Sequence, residues 1–176
     1  MITIVFEPHG TTFDNEQKLP SGHFDISLSP LGEQQSREMG KRYKGQHFDA
    51  IICSDLQRSW RSAELAFGQS RWIRMDSRLR ECDYGQFTRK PELWREDEKI
   101  HRIHTPFPDG ESYTQTTERM KSFLADLRRV KDTQRVMIIG HRATQYGLEH
   151  LINGVPLEVI IPAPWKWQPG WTYELK

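Results

Sequence analysis

The sequence predicts an α/β protein, a three-layer sandwich with a mainly parallel central sheet, on three observations. Runs of β-formers alternate with stretches at helical spacing along the chain. Two of the runs, residues 2–6 and 136–139, are almost continuously apolar, as strands covered on both faces are. Each of those two runs is followed within a few residues by a histidine, His9 and His141, so both imidazoles are expected at carboxyl ends of one sheet, where open α/β sheets bind ligands.

The elements follow in order. Residues 2–6 form a first strand, and Ser29 caps a helix that has Pro30 at its first position and continues to about Tyr43. Residues 48–53 form a second strand, after which Ser54 and Asp55 are expected to cap a helix reaching about Phe67. Trp72, Ile73, Arg74 and Met75 read as a short third strand. Residues 86–108, charged and aromatic, read as a partly helical, lid-like insertion over the sheet. Residues 113–130 carry Met120, Phe123, Leu124 and Leu127 at helical spacing. The second histidine strand comes next, then a helix over about 144–152. Residues 157–161 and 170–175 are expected as late or edge strands, because Pro164 and Pro169 cannot sit in a central ladder.

Composition narrows the class of function. A chain of 176 residues is about one domain, 1–176, with room for a sizeable core. Lys and Arg total 25 against 24 Asp and Glu, so no global field draws nucleic acid or acidic membranes, and any anion site is local. No apolar run approaches membrane-spanning length and no export signal opens the chain, so a cytoplasmic location is expected. Cys53 and Cys82 have neither metal-ligand spacing nor a disulfide framework, and read as reduced thiols. His101 and His104 lack a third ligand at suitable spacing, so no metal site is expected. The Trp165, Trp167, Trp171 tail, interleaved with prolines, reads as packing against its own domain, with a homodimer contact as the alternative.

Three strand ends carry polar residues: 7–12, 54–58 and 141–144. Their convergence on one crevice would bring together two imidazoles, a helix start and Arg58, with Arg61 one turn further along the same helix. An imidazole with one free nitrogen can attack phosphorus or take a proton, and guanidinium groups hold phosphate oxygens. That combination points to phosphoryl transfer through a phosphohistidine.

These residues resemble the histidine phosphatase superfamily, the phosphoglycerate mutase-like clan. Pro8-His9-Gly10-Thr11-Thr12 with Asn15 is similar to its opening Arg-His-Gly motif, Ser21-Gly22-His23-Phe24-Asp25 and Leu28-Ser29-Pro30-Leu31-Gly32 to its next segment, and Cys53-Ser54-Asp55-Leu56-Gln57-Arg58-Ser59 to its second arginine motif. Leu79-Arg80-Glu81-Cys82-Asp83-Tyr84-Gly85 looks like the general-acid segment, Asp109-Gly110-Glu111-Ser112 like the Gly-Glu-Ser turn, and Ile139-Gly140-His141 like the final histidine, all in the family's order. The resemblance implies a phosphoglycerate mutase-like fold. It makes His9 the nucleophile, Arg58 and His141 the holders of the phosphoryl oxygens, and Glu81 the acid that protonates the leaving oxygen and then activates water. Gly10, Asn15 and Gly22 would line the phosphate or substrate side. It implies no metal or organic cofactor. The partner it implies is a small phosphorylated substrate or inorganic phosphate.

The family's arginine before the nucleophile is Pro8 here, and the position after the last histidine, commonly small, is Arg142. Arg142 or Arg61 is expected to supply the missing charge. Glu7 beside the site would repel phosphate unless a cation pairs with it; the alternative is that it orients His9. The functional expectation is a phosphatase acting on a small phosphomonoester through His9. The alternatives are a weak or silent relative that binds a phosphorylated ligand or a protein, and a phosphoglycerate mutase-type phosphotransferase. A nucleotide-binding domain of another type is disfavoured, because no Gly-rich loop follows the first strand.

Overall fold

A computed structural model describes residues 1–68, 73–130 and 134–176. Its elements are β1 (Ile2–Pro8), α1 (Phe13–Glu16), α2 (Pro30–Arg42), β2 (Ala50–Cys53), α3 (Gln57–Phe67), β3 (Ile73–Met75), α4 (Glu96–His101), α5 (Tyr113–Arg129), β4 (Arg135–Gly140), α6 (Arg142–Asn153), α7 (Leu157–Ile160) and β5 (Trp171–Leu175). The strands form one sheet in the order β3-β2-β4-β1-β5, parallel throughout except for β5, which runs antiparallel to β1 at one edge.

Alternation along the central strands produces the layers. Ile4 and Phe6 of β1 and Val136 and Ile138 of β4 pack with Met120, Phe123 and Leu124 of α5 and Leu148 of α6. Val5, Met137 and Ile139 turn to the opposite face, against Met39 of α2 and Ala63 of α3. Because successive side chains of a strand point to opposite faces, an unbroken apolar run is what a sheet covered on both sides requires. A third apolar cluster joins Tyr84, Leu93, Ile103, Phe107 and Tyr113 to Tyr146, Leu157 and Ile161, and so anchors residues 86–108 beside α6.

The start of α2 agrees with the sequence reading: the Ser29 hydroxyl accepts from Gly32 N–H, and Pro30 occupies the first turn. Two local expectations are corrected. Residues 157–161 form a helix, not a strand, because Leu157 and Ile161 are buried at i and i+4, a helical spacing, with Pro156 at the N-cap. α3 begins at Gln57 after an uncapped Leu56, so Ser54 and Asp55 do not cap it. Both have been drawn to distant partners: Asp55 takes a bidentate pair from Arg80 at 2.7 and 2.6 Å, and Ser54 bonds His141. The short α1, held by a capping box between Thr12 and Asn15, was not predicted. Of the third strand, Ile73–Met75 is present and Trp72 lies outside the described residues.

Pro8 ends β1 at no cost to the ladder. The antiparallel pairing with β5 stops at Phe6 opposite Trp171, so the absent proline N–H faces no strand partner on that side. On the other side β1 runs in register with β4, Pro8 opposite Gly140, and His9 N–H continues the pattern to the Gly140 carbonyl at 3.0 Å.

Candidate active site

That register determines the site. One residue beyond the Pro8–Gly140 pair, His9 and His141 emerge side by side from adjacent parallel strands, their ring centroids 5.0 Å apart. They lie in a cleft of about 720 Å³ lined also by Gly10, Asn15, Gly22, Arg58, Glu81 and Arg142. The three polar strand ends thus converge as their chain positions predicted.

Each ring has a defined partner. His9 Nδ1 lies 2.6 Å from the carbonyl oxygen of Gly10, and since only a donor satisfies a carbonyl, Nδ1 carries the proton and Nε2 keeps its lone pair. Burial, and after it the Arg58 charge, lowers the His9 pKa to about 3. His141, 1% exposed, has Nε2 2.6 Å from the Ser54 hydroxyl, while its Nδ1 is buried with no hydrogen-bond partner. Burial first, then Arg58 and His9, lowers its pKa well below the ordinary value. Both imidazoles are therefore neutral at pH 7.

Gly10 shows why this loop tolerates no side chain: a Cβ there would meet the Gly32 carbonyl oxygen at 2.3 Å. Its N–H is tied to Ser62 Oγ at 2.9 Å, which fixes the backbone that orients His9.

Arg58 is 2% exposed and takes part in no ion pair with a carboxylate among the described residues. Its guanidinium donates instead to the carbonyls of Gly22 at 2.6 Å and Phe24 at 3.0 Å. Gly22 has φ +52°, which aims its carbonyl at Arg58 and which glycine adopts without strain. Burial lowers the Arg58 pKa. Arg58 is thus a buried cation that faces carbonyl dipoles and forms no ion pair, with Glu81, Asp25 and Asp14 acting on it only as charges at longer range.

Glu81 Oε1 accepts from the backbone N–H groups of Cys82 at 2.9 Å and Ala143 at 3.2 Å, the latter in the first turn of α6. Its segment is held by Arg119, which donates to the carbonyls of Arg78, Arg80 and Glu81 and pairs with Glu111. Asn15 lines the cleft, but its Oδ1 accepts from Thr12 N–H, so the side chain serves the turn as well.

Arg61 is a correction. It pairs with Glu64 one turn along α3, its side chain is 42% exposed, and it is not among the residues lining the cleft, so it does not replace the motif arginine. Glu7 does not orient His9 either. Its carboxylate accepts from Tyr43 OH at 2.7 Å and Arg42 Nη2 at 3.0 Å. Arg42 is thus the cation that offsets the buried charge beside Pro8, and its guanidinium also lies over Trp167.

Sequence reasoning missed Ser54, Arg42 and Arg119 as parts of this site. Ser54 carried a stronger local signal as a cap, and neither arginine stands in a motif that marks it. Arg142 stands at the cleft wall with its guanidinium 5.4 Å from the Trp94 ring and 5.2 Å from the Trp165 ring.

A mainly parallel sheet with a histidine pair at adjacent strand ends, backed by a buried arginine in no ion pair, defines the class: an α/β protein with a histidine-pair cleft at the carboxyl ends of its strands. A family model described as histidine phosphatase superfamily (branch 1) matches residues 4–165, and the chain belongs to that family. It is 32% identical over 167 residues to a probable phosphoglycerate mutase GpmB of Salmonella arizonae, covering 89% of this chain and 77% of that relative. Among solved structures it resembles YhfR of Bacillus stearothermophilus, with TM-score 0.81, 23% identity and coverage of 96% and 88% of the two chains. It also resembles a mycobacterial glucosyl-3-phosphoglycerate phosphatase in complex with VO3, with TM-score 0.77, 21% identity and coverage of 90% and 85%. At these identities the structural likenesses establish the shared fold.

Proposed function

We propose that this protein hydrolyses a small phosphomonoester through a phosphohistidine on His9. The observation that carries the reading is Arg58: a buried guanidinium that forms no ion pair among the described residues, beside two neutral imidazoles, one of which has an unprotonated Nε2.

The chemistry follows from the hydrogen bonds. With Nδ1–H held by the Gly10 carbonyl, His9 Nε2 attacks phosphorus; the N–P bond forms as the ester P–O bond breaks. Arg58 and the unpartnered Nδ1 of His141 hold the phosphoryl oxygens as charge develops on them. Glu81 gives a proton to the leaving oxygen. It then takes one from water, which attacks phosphorus, breaks the N–P bond and releases phosphate. The segment 86–108 contributes Trp94 to the cleft wall and so takes part in choosing the substrate.

Pro8 in place of the motif arginine removes one phosphoryl donor, and a loss of that kind costs roughly 10²–10³ in rate. A slow phosphatase is therefore expected. Relatives called probable phosphoglycerate mutases support a second reading, in which the phosphoryl group passes to a second hydroxyl. A chromogenic phosphomonoester assay with a His9→Ala control, combined with rapid intact-mass measurement at alkaline pH, tests both. The proposal expects free phosphate and a transient adduct on the wild type only. Transfer to an acceptor alcohol without free phosphate would favour the mutase, and phosphate binding without turnover a silent relative.

A further inference from the structure

We propose that Arg142, gripped by Trp94 and Trp165, is a second anion subsite that selects phosphomonoesters bearing a carboxylate. This rests on the reading of His9 and Arg58 as the phosphoryl site and adds the substrate's other end.

The clamp is built from three distant segments. The Arg142 guanidinium lies within cation–π distance of both indoles, at 5.4 and 5.2 Å. Trp94 is tethered by its indole N–H to the Lys18 carbonyl at 2.7 Å, and Trp165 stacks on Trp171 at 5.7 Å with 28° between planes. With indole rings over the guanidinium, the N–H edges not engaged by the Tyr146 hydroxyl are what remain for a ligand.

No acid neutralises Arg142. The ion pairs of the described residues engage Arg80, Arg102 and Arg119, and none engages Arg142. Lys99, whose pKa is lowered first by burial and then by the Arg142 charge, adds a second cation to the same neighbourhood. The Trp165 Nε1–H, buried with no acceptor, is an additional donor left unpaired. These three donor groups outnumber the acceptors beside them, the Tyr146 hydroxyl at Arg142 and the Glu96 carboxylate that acts on Lys99, and so call for an anionic, acceptor-rich group.

The location separates this subsite from the phosphoryl one. Arg58 faces the Gly22 and Phe24 carbonyls, whereas the Arg142 guanidinium lies against Trp94 and Trp165. Yet Arg142, Trp94 and Trp165 line the same cleft as His9, so one substrate can span both. A single planar guanidinium matches the two oxygens and single charge of a carboxylate.

The test compares 4-carboxybenzylphosphonate with 4-carbamoylbenzylphosphonate, nonhydrolysable ligands of the same shape that differ by one charge. Calorimetric affinities are measured for the wild type, Arg142→Gln, Arg142→Lys and Trp94→Leu. The wild type is expected to prefer the carboxylate by about 10- to 100-fold. Arg142→Gln should bring the ratio close to one through loss of carboxylate affinity, Arg142→Lys should keep part of it, and Trp94→Leu should reduce it several-fold. A wild type without preference, or an Arg142→Gln variant that weakens both ligands in equal proportion, overturns the proposal; the second result would make Arg142 a phosphoryl clamp. Turnover of the matching aryl phosphates distinguishes the two readings. Preferential phosphonate binding without hydrolysis or adduct leaves the subsite standing and removes the phosphatase, while hydrolysis without preference does the reverse.

Discussion

The Ser54 hydroxyl oxygen lies 2.6 Å from Nε2 of His141, and the same oxygen accepts from Leu56 N–H at 3.3 Å. A hydroxyl that accepts from Leu56 N–H has a second lone pair and a proton to offer; donation of that proton to Nε2 would put the His141 ring proton on Nδ1, the nitrogen without a hydrogen-bond partner. In that direction Ser54 would select the tautomer that can donate to a phosphoryl oxygen. Ser54→Ala is expected to lower kcat/KM by about 10-fold and stability by about 1–3 kcal/mol, the cost of a buried group left unpaired. Steady-state kinetics and urea unfolding check this, and an unchanged kcat/KM would reject the tautomer role.

The depressed histidines make stability fall in acid. The unfolded chain protonates each imidazole near 6.5, while the folded protein holds His9 at about 3 and His141 well below the ordinary value. Below pH 6.5 the unfolded state carries more protons, so this contribution is complete above about 6.5 and is lost progressively as pH falls toward the folded values. The slope approaches about 1.4 kcal/mol per pH unit for one fully buried ring. Urea unfolding of the wild type and His141→Gln between pH 7 and 4.5 should show a shallower decline in the variant; identical slopes would mean that His141 is not buried neutral.

Glu7 is 1% exposed and depends on Arg42 and Tyr43. Removing one partner of a buried pair leaves a charge uncompensated, at about 3–5 kcal/mol. With the Arg42 side chain 33% exposed, Arg42→Met should fall at about 3 kcal/mol, and Glu7→Gln in the same chain should recover most of it. Chemical denaturation of the two single variants and the double variant measures the coupling. Additive losses would show that the pair does not act as a unit.

Arg119 donates to three carbonyls of the segment that carries Glu81. Arg119→Met should misplace the acid and lower kcat by about 10- to 100-fold, with KM changed far less, since small displacements of a catalytic group carry penalties of this order. The effect should shrink for substrates with acidic leaving groups, which need no proton. A loss equal for good and poor leaving groups would reduce Arg119 to a structural role.

Much of this was legible in the chain because it is encoded locally. The apolar runs around Ile4 and Ile138, the Ser29-Pro30 helix start and the spacing of Met120, Phe123 and Leu127 each specify an element through interactions among neighbours. His9, Arg58, Glu81 and His141 were recognisable from short motifs in a fixed order. Where the local signal failed, a distant partner had outcompeted it: Ser54 and Asp55 carry the chemistry of a cap but are bonded to His141 and Arg80. At residues 157–161 a short apolar run suited strand and helix equally, and the pocket that receives Leu157 and Ile161 chose the helix.

By itself the sequence determined the α/β alternation, the family and the types of residue available for phosphoryl chemistry. Only the tertiary structure decided which charges reach the cleft. Arg58 and Arg61 sit one turn apart on α3 and look alike as letters, yet one is buried against the Gly22 and Phe24 carbonyls and the other pairs with Glu64 near solvent. Arg42, in the last turn of α2, pairs with Glu7, and Arg142 stands between two tryptophans from remote segments. The physical reason is range: periodicity and capping act over a few residues, whereas the surroundings of a charge are set by whichever distant groups packing brings against it.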